Sequence, residues 1–231
     1  MNGKNKTKGF CLNIKMPEKP KFDSIKNGLK LLISHGEKTG TIPCVNFPPS
    51  LTCGNVPCSL ICYACRANFT YANVQKAYID NFNYAKNHMP EFFEHLQEYL
   101  NVYKPSYFRW FSSGDLISIK FFAMLVDLAK KNPHTKFLMF TKKYAFVNSF
   151  CDHNGGKKAI PKNLKIRFSA WDINFKVPNP YNFPIFYVNF KLNNEFGWKT
   201  PEQAINATPC KGACQGCYLC WSDKDIVENQ K

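Results

Sequence analysis

Two groups of closely spaced cysteines carry most of the chemistry that this sequence could perform. The first group is Cys53, Cys58, Cys62 and Cys65, and the second is Cys210, Cys214, Cys217 and Cys220. The three other cysteines of the chain are isolated, and we expect them to be ordinary buried thiols. Close spacing of this kind is typical of metal ligands or, in an oxidising compartment, of disulfides.

The start of the chain decides between these two uses of cysteine. The first residues, MNGKNKTKGF, lack the apolar stretch of a secretion signal, and no run in the sequence approaches the roughly 18 apolar residues of a membrane span. We therefore expect a cytoplasmic protein with no membrane association. Thiols in that reducing compartment are more often metal ligands than disulfide partners.

The first cysteine group has a spacing that suits an iron–sulfur cluster. Its last three members form the pattern C-x3-C-x2-C. Three thiolates on one short loop can hold three irons of a [4Fe-4S] cubane and leave the fourth iron without a protein ligand. An iron left open in this way is a binding site.

The second cysteine group supplies four thiolates within 11 residues. Structural zinc usually uses two C-x2-C pairs separated by a longer loop, so the compressed run favours a second cubane cluster, with zinc as the alternative metal. Two further arrangements stay open. Some of these cysteines could join Cys53 or Cys65 around one cluster, or both groups could bind zinc and only stabilise the fold.

A repeated rhythm of apolar runs predicts the elements that position these cysteines. The runs are Tyr107–Phe111, Phe137–Phe140, Leu164–Phe168 and Ile185–Phe190, and their ends are 29, 28 and 22 residues apart. That spacing is the length of a strand, a crossover helix and two loops. We expect an α/β fold with parallel strands, built as a partial (β/α) barrel or an open parallel sheet, with a cysteine-rich C-terminal extension.

In the segments between and before these runs, apolar residues recur with helical periodicity. It predicts helices over 74–85, from Pro90 to Tyr103, and over Ile119–Lys131. Residues 22–34 are predicted to form an amphipathic helix, and Ile42–Phe47 a first strand.

The carboxyl ends of the predicted strands are polar, which is where parallel sheets gather functional groups. These ends are Ser112–Asp115, Thr141–Lys143 and Ser169–Asp172. Three polar ends at equivalent positions predict a cavity lined by these residues.

The cysteine spacing, the aromatic Tyr63 after the middle cysteine, and the ordered strand-end motifs together resemble the radical S-adenosylmethionine (SAM) superfamily. The resemblance implies that Ser113, Gly114 and Asp115 contact the methionine end of SAM, and that Ser169 and Asp172 lie near its ribose or carboxylate. Lys142 would face the same cavity. The candidate catalytic residues are Asp115, Lys142 and Asp172, and the candidate cofactor-binding residues are Tyr63, Ser113, Gly114, Asp115, Ser169 and Asp172.

A longer set of motifs is similar to the phage and plasmid family called gene product 88. They include Lys38-Thr39-Gly40, Cys-x3-Cys-Tyr-Ala, Arg-Trp-Phe-Ser-Ser-Gly-Asp, Phe-Thr-Lys-Lys-Tyr, Phe-Ser-Ala-Trp-Asp and the terminal Cys-x2-Cys-x2-Cys-Trp. This resemblance names a family but does not indicate a particular reaction. It also leaves open whether Cys53 or Cys65 completes the first cluster, because members of that family typically have cysteines matching Cys53, Cys58 and Cys62.

The net charge of +15 is unevenly distributed along the chain. Residues 1–38 hold 9 Lys against 3 acidic residues, and residues 120–167 hold 11 Lys or Arg against 2, which accounts for the whole excess. Such an excess favours contact with nucleic acid, although Lys richness without Arg is also typical of a merely solvated surface. We divide the chain into a basic N-terminal arm and helix (1–37), a radical SAM-like α/β core (38–200) and a cysteine-rich, cluster-binding tail (201–231).

The leading functional hypothesis is an iron–sulfur enzyme of radical SAM type, encoded by a phage or mobile element and supplied by an electron donor. It would generate a deoxyadenosyl radical at the first cluster. The rival hypothesis is a non-enzymatic iron–sulfur or zinc protein that binds nucleic acid through the Lys-rich segments.

Overall fold

The structure is a computed structural model, and parts of the chain lie outside the residues that it describes. The described residues are 22–36, 39–56, 58–59, 62–170, 176–189, 191–192, 195–196 and 204–229. The candidate Asp172 and the basic arm before residue 22 therefore lie outside the described residues. Within the described ranges, no helix has the length and apolar character needed to span a bilayer.

The described residues form eleven strands and six α-helices. The strands are β1 (Ile25–Lys26), β2 (Leu29–Lys30), β3 (Cys44–Val45), β4 (Tyr107–Trp110), β5 (Lys136–Thr141), β6 (Leu164–Ala170), β7 (Ile185–Asn189), β8 (Lys191–Leu192), β9 (Glu195–Phe196), β10 (Thr208–Pro209) and β11 (Ile226–Asn229). The helices are α1 (Pro49–Thr52), α2 (Tyr63–Thr70), α3 (Ala72–Asn87), α4 (Met89–Tyr103), α5 (Ile119–Lys131) and α6 (Tyr144–His153).

Seven of the described strands form one parallel sheet, in the order β10-β11-β7-β6-β5-β4-β3, and β1-β2 and β8-β9 form two separate antiparallel pairs. All neighbouring pairs in the seven-stranded sheet are parallel. The predicted α/β class with parallel strands is confirmed, and the four predicted apolar runs correspond to β4, β5, β6 and β7. Because β3 to β7 lie side by side in chain order, each connection steps to the adjacent strand in the same direction.

The predicted helices over 74–85, from Pro90 and over 119–131 correspond to α3, α4 and α5. Pro90 lies in the first turn of α4, where its missing N–H leaves no intrahelical bond unmade. Ser118 caps α5 by accepting a hydrogen bond from the Phe121 backbone N–H at 3.0 Å. The first strand is shorter than predicted, with only Cys44 and Val45 paired to β4.

The prediction of a helix over residues 22–34 is wrong. This segment contains a hairpin in which Ile25 faces Lys30 and Lys26 faces Leu29. The two turn residues, Asn27 and Gly28, have φ of 53° and 75°. An Asn-Gly pair adopts this left-handed backbone readily, and it favours a two-residue hairpin turn over a continuing helix.

The two faces of the sheet are covered by different parts of the chain. Side chains such as Phe108, Trp110 and Phe168 point into the main apolar core with the helices. The alternating residues, including Arg109 and Arg167, point to the opposite face, where residues 204–229 pack. The C-terminal segment thus occupies the face that the helices leave open, and it also contributes two strands to the sheet.

Candidate functional site

A large cavity lies between the sheet, the first cysteine loop and the C-terminal segment. Its empty volume is about 1020 Å³, counting space open to solvent. Its polar and thiol-bearing lining residues are Cys53, Cys58, Cys62, Tyr63, Arg109, Ser112, Ser113, Lys142, Ser169, Cys210, Cys214, Cys220 and Glu228. The two cysteine groups, separated by about 150 residues in sequence, therefore face one space.

The first cysteine group begins directly after α1 and ends in α2. Cys53, Cys58 and Cys62 line the cavity, whereas Cys65 does not. Burial raises the pKa of Cys53 to about 12 and that of Cys65 to about 11. The neighbouring Cys62 thiol also raises the pKa of Cys65. Cys65 thus lies next to the cavity thiols without lining the cavity itself.

The second cysteine group borders two cavities. Cys210, Cys214 and Cys220 line the large cavity, and together with Cys217 they also line a smaller one of about 270 Å³ within the tail. Burial raises the pKa of Cys220 to about 12. The four predicted ligands of the tail therefore surround one small space, three of them on the wall shared with the large cavity.

The described His, Cys, Asp and Glu side chains form no group of three or more that is arranged to hold a metal ion. The described cysteines are all free thiols. The predicted thiol ligands are thus gathered around the two cavities, but they do not converge on one coordination point.

The loop after β4 forms one wall of the large cavity and matches the predicted Ser-Gly-Asp element. The Tyr63 hydroxyl donates to the Ser112 carbonyl, which ties the start of α2 to this loop. The Ser113 hydroxyl donates to the Phe47 carbonyl at 3.1 Å. Gly114 has φ +84°, and an added Cβ would lie 2.7 Å from that same Phe47 oxygen. Only glycine fits there without moving the backbone.

Asp115 lies behind the cavity wall, and both of its carboxylate oxygens accept hydrogen bonds. Its Oδ1 accepts from the Thr141 hydroxyl at 2.6 Å and from the Leu116 N–H at 2.8 Å. Its Oδ2 accepts from the Lys142 N–H at 2.7 Å. Burial raises the pKa of this carboxyl, an effect that the Lys142 charge opposes. Asp115 therefore joins the ends of β4 and β5, and it does not line the cavity.

Lys142 and Ser169 line the cavity as predicted from their strand-end positions. Burial lowers the pKa of Lys142, but the nearby Cys58, Asp115 and Cys53 outweigh it and leave the pKa raised. The Lys142 side chain therefore lies beside Asp115 and the thiols of the first cysteine group. The Ser169 carbonyl accepts a hydrogen bond from Tyr144 at the start of α6.

Arg109 is a cavity residue that the sequence analysis missed. It projects from β4, its guanidinium lies 4.7 Å from the Phe140 ring centroid, and its Nη1 donates to Cys214 Sγ at 3.4 Å. Its Nε is buried without a hydrogen-bond partner among the described residues. The Arg109 charge thus lies beside the tail cysteines as Lys142 lies beside the first group.

Arg167 is a second missed residue, and it holds the tail in place. It is completely buried on β6 and donates to four carbonyl oxygens. These are the carbonyls of Leu219, Cys220, Ser222 and Lys224, at 2.7 to 3.3 Å. Burial lowers the pKa of Arg167. One side chain of the sheet therefore fixes the backbone around Cys220.

A sequence signal for both residues existed. Only three of the 31 basic residues are arginines, and two of them, Arg109 and Arg167, lie within apolar runs of predicted strands. An arginine inside a buried strand needs several acceptors at once, because its five N–H donors are costly to bury unpaired.

The fold and the cavity define a parallel α/β protein with a thiol-lined cavity at the carboxyl ends of its strands. A family model described as Gene product 88 matches residues 21–223, a range that includes both cysteine groups. The chain belongs to that family, as its motifs predicted. A search of the curated proteins found no match, and a search of the solved structures found none.

Proposed function

We propose that this protein is an iron–sulfur enzyme of radical SAM type, acting on a substrate bound in the large cavity. The observation that carries the proposal is the shared cavity, which is lined by three thiols of each cysteine group and by the strand-end residues Ser113, Lys142 and Ser169. A purely structural zinc site would require only one cysteine group and would not require an adjoining cavity.

The donor set fits an iron–sulfur cluster. Six cysteines line the cavity, and no histidine does. All-thiolate sites suit iron–sulfur clusters and zinc rather than magnesium or calcium. A cation beside each group, Lys142 for the first and Arg109 for the second, would offset the negative charge of ionised thiolates.

The first group would hold the catalytic cluster through Cys58 and Cys62, with Cys53 or Cys65 as the third ligand. The lining residues favour Cys53, since it faces the cavity and Cys65 does not. The tail thiols, Cys210, Cys214, Cys217 and Cys220, would hold an auxiliary cluster or, as the alternative metal, zinc. When bound, the first cluster and SAM supply reductive cleavage of SAM to a deoxyadenosyl radical.

The protein's own residues would position the cofactor and exclude water. Because Gly114 packs directly on the Phe47 backbone, the loop after β4 lies close to the sheet. A ligand can therefore approach the backbone of this loop. Asp115 acts as a positioning residue, because it fixes the backbone of Lys142 while the lysine side chain faces the cavity. The consecutive order of β3 to β7, with helices on one face, supports a partial-barrel architecture of radical SAM type.

The test is anaerobic purification with iron, sulfide and zinc quantified, followed by electron paramagnetic resonance of the reduced protein with and without SAM. We expect iron and sulfide for one or two cubanes and a signal that changes when SAM is added. Cys58→Ala should remove the SAM-sensitive signal. Cys151→Ala is the matched control, because Cys151 is a buried core thiol outside both groups.

The comparison of Cys53→Ala with Cys65→Ala identifies the third ligand, since only the variant of the true ligand should lose the SAM-sensitive signal. Zinc without iron, or clusters indifferent to SAM, would contradict the enzyme proposal. The rival function, a non-enzymatic metal protein, would then be favoured.

A further inference from the structure

One edge of the sheet carries a concentration of lysines, and it is the edge opposite the first cysteine group. We name it the basic edge. Its members precede or begin parallel strands, or end helices that run back to the strand starts, which brings them to the amino-terminal edge. They are Lys104, Lys130, Lys131, Lys136, Lys157, Lys158, Lys162, Lys165 and Lys224.

Several of these lysines follow the edge strand by strand. Lys136 begins β5, Lys165 is the second residue of β6, and Lys224 lies two residues before β11. Adjacent strands are about 4.8 Å apart, so the charges form a row across the sheet. A row of cations suits a linear polyanion better than a single compact anion.

The row borders a groove with an empty volume of about 400 Å³. Lys157, Lys162 and Lys165 line it, together with Asp223 and apolar residues before β6 and β7. A groove of this kind gives a chain-like ligand a track that scattered surface lysines would not provide.

Most of the positive charge at this edge is not neutralised by neighbouring acids. Asp127 pairs with Lys130 at 3.3 Å, and Asp223 pairs with Lys165. By contrast, Lys131, Lys158 and Lys162 have no ion pair among the described residues. The edge therefore keeps a positive excess that an external polyanion can use.

Aromatic rings accompany the lysines. Tyr103, at the end of α4, is 57% exposed. Tyr107 and Tyr218 stack at 4.1 Å, with the Lys136 ammonium 5.4 Å from the Tyr107 ring centroid. Lysines interleaved with aromatic rings are typical of surfaces that bind nucleic acid by phosphate contact and base stacking.

We propose that the basic edge binds nucleic acid, on the side of the sheet opposite the first cysteine group. A nucleic acid is favoured over an anionic membrane because exposed aliphatic side chains that could enter a bilayer, such as Leu51 and Ile119, lie near the carboxyl edge instead. None of the basic-edge lysines lines the cavities that hold the cysteines, so either proposal can fail without the other.

The test compares two triple variants of equal charge change. The first is Lys131→Gln, Lys158→Gln and Lys162→Gln at the basic edge. The control is Lys30→Gln, Lys86→Gln and Lys120→Gln. Lys86 lines a groove with Leu116 at the carboxyl edge, Lys30 lines another groove with Asn87 and His88, and Lys120 lies in the first turn of α5. Binding of a fluorescein-labelled oligothymidylate is measured by anisotropy over a range of salt concentrations, and iron and zinc contents are measured in parallel.

We expect the basic-edge variant to bind at least about tenfold more weakly and to lose about 2 from the slope of log affinity against log salt. The control variant should retain both the affinity and the slope, and metal content should be unchanged in both. Equal loss in the two variants, or no salt-dependent binding by the unaltered protein, would overturn the proposal. So would preferential, basic-edge-dependent binding to phosphatidylserine vesicles, which would assign the edge to a membrane.

Discussion

The two cysteine groups are held by the fold in opposite ways. The backbone around Cys220 is fixed by four hydrogen bonds from Arg167, and Trp221 Nε1 donates to the Lys136 carbonyl at 2.9 Å. The first group has its described anchors at its two ends, where Thr52 precedes Cys53 and Tyr63 follows Cys62.

This difference predicts which of the two groups a bound metal would stabilise more. The tail scaffold is built from sheet side chains and two strands, so it should persist without metal. Between Cys53 and Cys62, the described hydrogen bonds of the first loop are local, such as the bond from the Ser59 N–H to the Val56 carbonyl. A bound metal would therefore add more order to the first group than to the second.

Arg167→Lys should have the largest effect on stability. Lysine cannot reach four carbonyls at once, and the lost charged hydrogen bonds should lower the free energy of unfolding by about 4 kcal/mol. Urea denaturation measures this. Arg66→Lys, at an exposed helix position, is the control and should change stability by less than about 0.5 kcal/mol. Equal effects would show that Arg167 does not anchor the tail.

Thr52→Val tests the anchor of the first group. The Thr52 hydroxyl donates to the Pro48 carbonyl at 2.8 Å and accepts from the Asp115 N–H at 2.9 Å. Its loss leaves a buried N–H unpaired and should cost about 2 kcal/mol in thermal unfolding.

Thr70→Val is the matched control for this substitution. Thr70 makes the same type of bond, to the Arg66 carbonyl at 2.8 Å, but it is exposed. If Thr70→Val costs as much stability as Thr52→Val, the hydrogen bond from the Asp115 N–H to Thr52 adds no stability of its own.

Gly40→Ala probes the contact between the tail and the loop before β3. An added Cβ would lie 1.8 Å from Gln215 Oε1, which accepts a hydrogen bond from the Thr41 N–H. Gly28 also has positive φ, but nothing lies within 4 Å of its added Cβ. Gly40→Ala should cost about 1 kcal/mol more than Gly28→Ala by calorimetry, because only the former adds a clash to the backbone strain. Adding Gln215→Ala should recover part of that difference; no recovery would argue against the clash.

Lys165→Gln should have the smallest effect, although Lys165 lies two residues from Arg167. Its partner Asp223 is 82% exposed, so the ion pair is solvent-screened. The expected change is at most about 0.5 kcal/mol by urea denaturation. A change approaching that of Arg167→Lys would mean that the outer ion pair, and not the buried guanidinium, secures the tail.

Much of the fold was predictable because its signals are local. The periodicity of α3, α4 and α5 and the apolar runs of β4 to β7 follow from side chains close in sequence. The hairpin was missed although its signal is local as well: Asn27-Gly28 favours a turn over the helical pattern around it.

The site was only partly predictable because its remaining determinants are distant in sequence. The strand-end positions of Ser113, Lys142 and Ser169 followed from the parallel sheet. The partners of Arg167 lie 52 to 57 residues away, and Asp115 bonds Lys142 27 residues on. No spacing rule predicts such pairs, nor that the tail would cover the sheet face opposite the helices.

The position of β11 between β7 and β10 sets the order in which the molecule can be assembled during translation. β10 is synthesised first but has no neighbour in the sheet until β11 emerges and pairs with both. The four carbonyls that accept hydrogen bonds from Arg167 lie in the segment between these two strands. The cavity wall formed by the tail cysteines can therefore be completed only after β3 to β7 and β11 have all been synthesised.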